Sequence, residues 1–195
     1  MIVGRSEHDL TPALMVLYFG YGANMHIALM NKRCPDNKLL GSAVLRDWRW
    51  IINQRRWANV IPSPGDHVYA LLYELNANDE QSLDGYEDVP RSYGKQTLSV
   101  EWCSADGTMV SVDAVVYVDH RQTEGVPWPE YVGRINHGIV DALQHGMPQE
   151  YVDKYLRRFI PAAGAVDLSN DSTRLSSPVQ AAQLSSALAQ LVSNE

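Results

Sequence analysis

The sequence predicts an α+β fold in which most strands precede the main helices. About six strand-like runs lie between residues 14 and 118. Two of them are separated by Asp106-Gly107, a dipeptide that strongly favours a hairpin turn. From Pro129 onward the apolar residues recur four apart, which is typical of an amphipathic helix that packs on a sheet. We therefore expect a sheet with helices toward the C-terminal end of the chain.

The individual elements follow from apolar periodicity and from the positions of glycine and proline. The predicted strands cover residues 14–19, 39–53, 57–61, 67–75, 95–103 and 109–118. The predicted helices are residues 25–33, a short helix capped by Asn78 that ends near Gly85, a helix from Pro129 that Gly146 closes, and residues 148–159. Residues 62–66 read Pro-Ser-Pro-Gly-Asp, which predicts a turn before a central, almost wholly apolar strand.

Length and composition favour a single domain with short appendages. The chain has 195 residues, of which 45% are hydrophobic, so a sizeable core is possible. We expect a flexible tail over residues 1–12, a domain over 13–160, and a linker with a short C-terminal helix over 161–195. No run reaches the ~18 apolar residues of a membrane span, and the N-terminus lacks a signal-peptide pattern. We therefore expect a cytoplasmic protein with no membrane partner, either a monomer or a homodimer.

Charge and metal-binding residue types argue against several classes of function. The net charge of −7 argues against general nucleic-acid binding. The local cluster of Arg46, Arg49, Arg55 and Arg56 is interpreted as an exposed strand face, with a place near an anionic substrate as the alternative. The two cysteines are expected to be reduced thiols. No Cys or His cluster has metal-ligand spacing, so we expect no metal and no other cofactor.

The chain is organised around the stretch Tyr18-Phe19-Gly20-Tyr21-Gly22-Ala23-Asn24, at the end of the first predicted strand. Glycine lets another group approach the main chain closely, and a strand that ends in such a loop points successive N–H groups into one concavity. That concavity suits a carboxylate or a developing oxyanion. The plainer alternative is a tight turn between a strand and a helix. A phosphate loop and a dinucleotide fingerprint are excluded, because Gly-Lys-Ser/Thr and a third glycine are missing.

A second motif, Leu83-Asp84-Gly85-Tyr86-Glu87-Asp88-Val89, follows a predicted strand and a short helix. The two motifs in this order resemble the γ-glutamylcyclotransferase family. In that family the first motif typically reads Tyr-Gly-Ser-Asn, so Ala23 stands at the serine position. The segments 49–53 and 57–60 also look like the fungal branch of the family. The resemblance covers roughly residues 14–160 and implies a small mixed β-barrel flanked by helices.

The resemblance also implies a reaction and a set of site residues. A γ-glutamyl cyclotransferase closes the γ-glutamyl group of a small peptide or glutathione-derived conjugate to 5-oxoproline and releases the amine. Glu87 matches the family's catalytic acid/base, and its pKa would be raised by partial burial and by the charges of Asp84 and Asp88. The expected substrate-binding residues are Tyr21, Gly22, Ala23 and Asn24 of the loop, together with Tyr93 and Tyr131, for which a place in the core is the alternative.

Two other hypotheses stay open. The same fold could use Glu87 in a cyclase or isomerase of fungal natural-product biosynthesis, for which Ala23 and His26 leave room. The chain could instead be a non-catalytic binding module, which requires that the Glu87 carboxylate cannot reach the loop at residues 20–24. Trp57 and Trp128 would suit a larger substrate if they line the mouth of a cavity.

Overall fold

Five strands in the described part of the chain close into a barrel. The computed structural model describes residues 15–104 and 106–164. Its strands are β1 (Val16–Gly20), β2 (Lys38–Ile52), β3 (Ala58–Leu75), β4 (Gly94–Cys103) and β5 (Met109–Val118). They hydrogen-bond in the order β1-β3-β2-β4-β5, and β5 returns to β1. The pairing of β1 with β5 is parallel and the others are antiparallel, so the predicted mixed β-barrel of an α+β protein is confirmed.

The long strand β3 corrects one sequence prediction. The sequence predicts a turn at residues 62–66 between two strands, but β3 runs through this segment. The register of β3 against β2 shifts there. Gly65 adopts φ +83°, which glycine accepts readily, and its N–H donates to Asp47 Oδ1 at 2.9 Å. The segment is therefore a bulge that bends one strand, which is why the described residues form five strands rather than about six.

Short helices connect the strands, and the longest helix follows the barrel. The helical elements are a 3₁₀ turn (Ala23–Met25), α1 (Ile27–Arg33), α2 (Ala77–Tyr86), α3 (Pro129–Gln144) and α4 (Gln149–Tyr151), which continues as a π-helical turn (Val152–Leu156). They confirm the predicted helices, although the last one changes its winding. The predicted cap of α2 is wrong, because the side chain of Asn76, not Asn78, accepts the N–H of Asp79 at 2.8 Å. Asn76 directly follows β3, so the helix begins as soon as the strand ends.

Helix α3 fixes the segment that follows β1. Its buried apolar residues include Tyr131, Ile135, Ile139 and Ala142. At Gly138 the helix comes so close to this segment that a Cβ would lie 2.9 Å from Met25 Cβ and 3.0 Å from the His26 nitrogen. Asp141 Oδ2, on the next turn, accepts the N–H of Ile27 at 2.8 Å. A close packing contact and a hydrogen bond therefore hold this segment against α3.

Two predicted appendages lie almost wholly outside the described residues. They are the N-terminal tail (1–12) and the linker with the C-terminal helix (161–195), of which only residues 161–164 are described. Their boundaries, and those of the domain predicted at 13–160, stay predictions. None of the helices in the described ranges is long and apolar enough to cross a membrane.

Replacing Gly138 by alanine is expected to destabilise the domain. The added methyl would overlap Met25 and the backbone of His26. Such overpacking typically costs about 1–3 kcal/mol, which outweighs the ~1 kcal/mol that alanine gains over glycine in a helix. Gly133→Ala is the matched control, because α3 has open space at that position. Thermal denaturation should show a lower Tm for Gly138→Ala and a higher Tm for Gly133→Ala, and equal shifts would contradict the close contact.

Candidate active site

A cavity of about 340 Å³ lies where the loop after β1 faces the end of α2. A second hollow of about 390 Å³, beside residues 40–46 of β2, contains none of the predicted site residues. The first cavity contains all of them in its wall: Tyr21, Gly22, Ala23, Asn24, Glu87, Tyr93 and Tyr131. Elements that are far apart in sequence thus bring the predicted residues together around one space, which is the candidate active site.

Glu87 enters the cavity from the end of α2. Its backbone N–H donates to Leu83 O at 2.9 Å, so the residue caps the helix. Its side chain is 17% exposed, and Oε1 accepts a hydrogen bond from Asn24 Nδ2 at 3.1 Å. Arg33 Nη1 lies 3.8 Å from the same oxygen. The carboxylate therefore reaches the loop that contains Asn24, which is the geometric condition for a role as acid or base there.

The side chain of Asn24 connects the loop to the carboxylate. Asn24 Oδ1 accepts a hydrogen bond from Arg33 Nη1 at 2.8 Å, and this bond fixes which end of the amide is oxygen. Asn24 Nδ2 donates to Tyr18 OH at 2.7 Å and to Glu87 Oε1 at 3.1 Å. The main-chain carbonyl of Asn24 accepts from Tyr73 OH at 2.9 Å. Every polar group of this buried side chain is thus paired, so the amide is held in one orientation.

The environment of Glu87 shifts its acidity in two directions. Burial raises the pKa of Glu87 above its ordinary value, because the charged form loses water. The Arg33 charge, the Asn24 hydrogen bond and the more distant Arg55 oppose that rise without cancelling it. A carboxyl group with a raised pKa is a better proton acceptor and donor near neutral pH than an exposed one.

The negative charges expected to contribute to this shift belong to other interactions. Asp84 accepts from Tyr117 OH at 2.6 Å and pairs with Lys95 at 3.1 Å. Asp88 accepts from Ser92 Oγ at 2.7 Å. Burial, rather than a neighbouring carboxylate, is therefore the main cause of the raised pKa of Glu87. The expected effect of burial is confirmed, and the expected effect of Asp84 and Asp88 is wrong.

The loop after β1 forms one part of the cavity wall, and its 3₁₀ turn leaves some backbone N–H groups unused. In the 3₁₀ turn, Met25 N–H donates to Gly22 O at 3.0 Å. The N–H groups of residues 22–24 precede this bond, so the turn itself does not use them. Space is tight at position 22, because a Cβ there would lie 3.2 Å from Tyr131 OH and that side chain would have to shift slightly. Ala23, at the serine position, contributes its backbone to the cavity wall but no hydroxyl.

The three tyrosines predicted to bind substrate line the cavity but differ in their hydroxyl groups. Tyr21 donates to Tyr117 O at 2.5 Å, and Tyr93 donates to Ala58 O at 2.8 Å. Tyr131 OH instead accepts the N–H of Ala58 at 3.4 Å. Burial raises the pKa of all three phenols, so they stay neutral. Tyr21 and Tyr93 can therefore accept a hydrogen bond from a ligand, whereas Tyr131 can also donate one.

The structure adds wall residues that the sequence analysis does not single out. They include Tyr18, Arg33, Tyr86, Tyr117 and Arg134. Arg33 is the most informative, because it reaches from the end of α1 to both Asn24 and Glu87. Its guanidinium also lies 4.7 Å from the centre of the Tyr86 ring. The sequence offered one weak signal for it, a basic residue at the end of the helix that follows the loop.

One member of the arginine cluster reaches the cavity. Arg55 lines it, and Nη1 donates to Asp119 Oδ2 at 2.9 Å and to Ser92 O at 3.1 Å. The other three have other partners: Arg46 pairs with Glu101, Arg49 with Glu124, and Arg56 lies over the Trp128 ring. The strand-face interpretation applies to Arg46 and Arg49, which lie on β2, while a place near an anionic substrate stays a prediction for Arg55.

The fold and the cavity together define a class of protein: a small mixed barrel with a small-molecule site centred on a shielded carboxylate. In residues 15–104 and 106–164, no group of three or more His, Cys, Asp or Glu side chains is arranged to hold a metal ion. The groups that are present can bind a polar molecule and exchange a proton with it.

Comparison with known proteins identifies the family. Residues 18–132 match the model of the family described as gamma-glutamyl cyclotransferase, AIG2-like, and the chain belongs to this family. It is 26% identical over 148 residues to the γ-glutamylcyclotransferases of Mus musculus and Homo sapiens, an overlap of 71% of this chain and 76% of each relative. These relatives are mammalian, so the fungal branch stays a prediction.

Solved structures show the same fold. The chain is similar to a structure described as a gamma-glutamyl cyclotransferase, with a TM-score of 0.63 and 23% identity, over 80% of this chain and 95% of that one. It is also similar to a human protein described as uncharacterized, with a TM-score of 0.62 and 25% identity, over 80% of this chain and 94% of that one. The fold expected from the two motifs is therefore confirmed independently of the local sequence match.

Glu87→Gln is expected to stabilise the fold at neutral pH. A carboxyl group whose pKa is higher in the folded than in the unfolded state binds more protons when folded, so stability falls as pH rises from the ordinary glutamate value of 4.5. Glutamine removes this loss and still accepts the Asn24 hydrogen bond. The Tm of the variant should exceed that of the wild type near pH 7.5, and the difference should shrink toward pH 4. Glu150→Gln is the control, because Glu150 is an exposed residue of α4, and a pH-independent Tm difference would contradict the burial effect.

Proposed function

We propose that this protein is a γ-glutamyl cyclotransferase, which converts the γ-glutamyl group of a small substrate to 5-oxoproline and releases an amine. The observation that carries the proposal is the shielded Glu87 carboxylate, which accepts a hydrogen bond from Asn24 at 3.1 Å. The loop that contains Asn24 lines the same cavity, and its turn does not use the N–H groups of residues 22–24. Family membership supports the proposal, since the relatives at 26% identity are named for this activity.

The chemistry needs one carboxylate that moves protons. Glu87 takes a proton from the α-ammonium, and the freed lone pair of the α-nitrogen attacks the γ-carbonyl carbon. A C–N bond closes the five-membered ring while the carbonyl oxygen becomes negative. When the carbonyl reforms, the bond to the leaving nitrogen breaks and Glu87 returns a proton to that nitrogen. Overall the α-nitrogen loses two protons and the departing amine gains two, so an amine that leaves as an ammonium balances the reaction.

The reaction is favoured because both reacting groups belong to one molecule. A well-oriented internal nucleophile can have an effective molarity of about 10⁵ M or more. The protein therefore has to fold the substrate chain back on itself and remove water from the reacting atoms. A cavity of about 340 Å³ suits that task, being at the lower end of small-molecule sites.

The proposed substrates are γ-glutamyl peptides and glutathione-derived conjugates. The N–H groups of residues 22–24 suit the α-carboxylate or the developing oxyanion. Arg33 and Arg55 add positive charge to the cavity wall. Trp57 also lies in this wall, with its ring 4.8 Å from that of Tyr131, so a larger leaving group would contact it. Trp128, expected beside it, is not among the wall residues.

Three further expectations belong to the proposal. The partner is a small γ-glutamyl molecule, the location is the cytoplasm, and the assembly is a monomer or a homodimer. The substrate that is preferred will decide whether the pathway is glutathione breakdown or natural-product biosynthesis. Cell fractionation measures the location, and analytical ultracentrifugation measures whether the protein is a monomer or a homodimer.

The wild type should release 5-oxoproline from at least one of γ-glutamyl-alanine, glutathione and glutathione S-conjugates. Glu87→Gln should lower kcat by roughly 10²–10⁴-fold, the usual contribution of a general acid/base, while Glu150→Gln should not. Chromatographic quantification of 5-oxoproline makes the measurement. Binding of these compounds without turnover would favour a binding module. Absence of both binding and release would favour a different reaction on the same fold.

Arg33→Gln is expected to shift the pH dependence of the reaction. Burial raises the pKa of Glu87 and the Arg33 charge restrains that rise, so removing the charge should raise the pKa further. The base must be ionised to act, and the acidic limb of kcat/KM should therefore move to higher pH. Arg33→Lys keeps the charge and should leave the limb close to that of the wild type. An acidic limb that is unchanged in Arg33→Gln would show that Arg33 does not set the acidity of the base.

A further inference from the structure

Tyr18 on β1 and Tyr131 on α3 both line the cavity with a hydroxyl that accepts a hydrogen bond and donates none in the described part of the chain, and of these two Tyr18 is bonded to the Asn24 amide that also binds Glu87. Tyr18 is 4% exposed, and its oxygen accepts from Asn24 Nδ2 at 2.7 Å. The hydroxyl hydrogens of Tyr21, Tyr93 and Tyr117 are each donated to a carbonyl or carboxylate oxygen. The hydroxyl hydrogen of Tyr18 meets no acceptor within residues 15–104 and 106–164. It is therefore available to a molecule that occupies the cavity.

Asn24 also sets the distance between Tyr18 and Glu87. The planar amide carries two hydrogens, and it donates one to Tyr18 OH at 2.7 Å and the other to Glu87 Oε1 at 3.1 Å. Two donors roughly 120° apart on one nitrogen place those two oxygens about 5 Å from each other. Both oxygens thus belong to one rigid unit, and neither depends on a mobile side chain for its position.

That separation fits a reacting carbonyl group. A nucleophile about to attack lies about 3–3.5 Å from the carbonyl carbon, and hydrogen-bond partners lie about 3 Å apart. When the γ-carbonyl of the substrate lies between the two side chains, the attacking α-nitrogen can lie next to Glu87 and the carbonyl oxygen next to Tyr18. The Asn24 amide cannot serve as the donor itself, because both of its hydrogens are already used.

We propose that Tyr18 is a catalytic residue that donates a hydrogen bond to the γ-carbonyl oxygen while negative charge develops on it. This inference rests on the proposed function. As the α-nitrogen bonds to the carbon, the carbonyl electron pair moves onto the oxygen and the Tyr18 hydrogen bond to it strengthens. The pair then returns, the bond to the leaving nitrogen breaks, and the phenol keeps its proton throughout. The loop N–H groups are left for the α-carboxylate.

The surroundings of Tyr18 keep it in the form that donates. Burial, and after it the nearby Glu87 charge, raise the pKa of Tyr18 well above its ordinary value. The phenol is therefore protonated across the range in which Glu87 is ionised. The ring is also fixed, because it packs between Tyr73, at 6.2 Å between ring centres, and Tyr117, at 5.6 Å.

The test is the kinetics of Tyr18→Phe on the best γ-glutamyl substrate. Loss of one oxyanion donor should lower kcat by about 10²–10³-fold, with KM changed less than about threefold and the acidic limb of the pH profile unmoved. Tyr155→Phe is the matched control. It removes the hydroxyl of another buried tyrosine, which donates to Asp66 Oδ1 at 2.8 Å outside the cavity. Its kcat should equal that of the wild type.

The outcomes separate the possible roles of Tyr18. A kcat within threefold of the wild type overturns the proposal. An acidic limb that moves to higher pH, with the rate restored above it, also overturns it, because Tyr18 would then act only by positioning Asn24 and Glu87. If Tyr18→Phe does not fold, site-specific 3,5-difluorotyrosine keeps the Asn24 bond and makes the donor more acidic. A change in kcat without a change in KM supports the proposal, and an unchanged kcat overturns it.

The same experiments distinguish this inference from the proposed function. A wild type that releases no 5-oxoproline from any γ-glutamyl compound removes the proposed function itself. If the wild type and Tyr18→Phe are equally active, only the proposed role of Tyr18 is contradicted.

Discussion

The side-chain amide of Asn24 is the interaction on which the site depends. A buried amide is tolerated only when its polar atoms are paired, and here the carbonyl end is bound by Arg33 and the amino end by Tyr18 and Glu87. The cationic donor decides the orientation, since the reverse would set two oxygens against each other. Aspartate at this position would place a second negative charge beside the carboxylate, and serine is too short to bind three partners. The loop, α1 and the end of α2 are thereby fixed relative to one another.

Glu87 shows how a barrel can keep a carboxylate both shielded and usable. Complete burial without a cation would leave it neutral and unable to accept a proton at neutral pH. Full exposure would leave it too acidic to return the proton. The arrangement seen here lies between these limits, because burial acts in one direction and Arg33, with Asn24, acts in the other. Such a residue lowers the stability of the folded state, as active-site residues commonly do.

The sequence predicted what is local and missed what depends on distant partners. The loop at residues 20–24 and the position of Glu87 after a helix follow from glycine placement and apolar periodicity, although the role of Glu87 came from family resemblance. By contrast, Arg33 looked like an ordinary basic helix end, because its importance lies in contacts with Asn24 and Glu87. Tyr18 was interpreted as part of an apolar strand, because its role likewise depends on a contact, the hydrogen bond from Asn24.

The same contrast between local and long-range features holds for the fold. Strand and helix positions were predicted from periodicity, whereas the bulge at residues 62–66 was taken for a turn. A Pro-Ser-Pro-Gly segment lacks the pattern of a strand, and it is the pairing of Pro62 and His67 with β2 on either side that makes it a bulge within one strand. Asn76 and Asn78 are both good helix caps, so the choice between them depended on where β3 ends.

The contact between α3 and the segment after β1 has a consequence for the newly made chain. The hydrogen bond from Ile27 to Asp141 joins residues 114 positions apart, so the loop is synthesised long before the helix that supports it. At about 5–20 residues per second, a ribosome needs roughly 5–25 s to cover that interval. During this time the N-terminal motif is present in sequence but has no α3 to rest on. The segment after β1 therefore reaches its supported conformation only after Asp141 has been synthesised, and until then the wall of the cavity that it forms is incomplete.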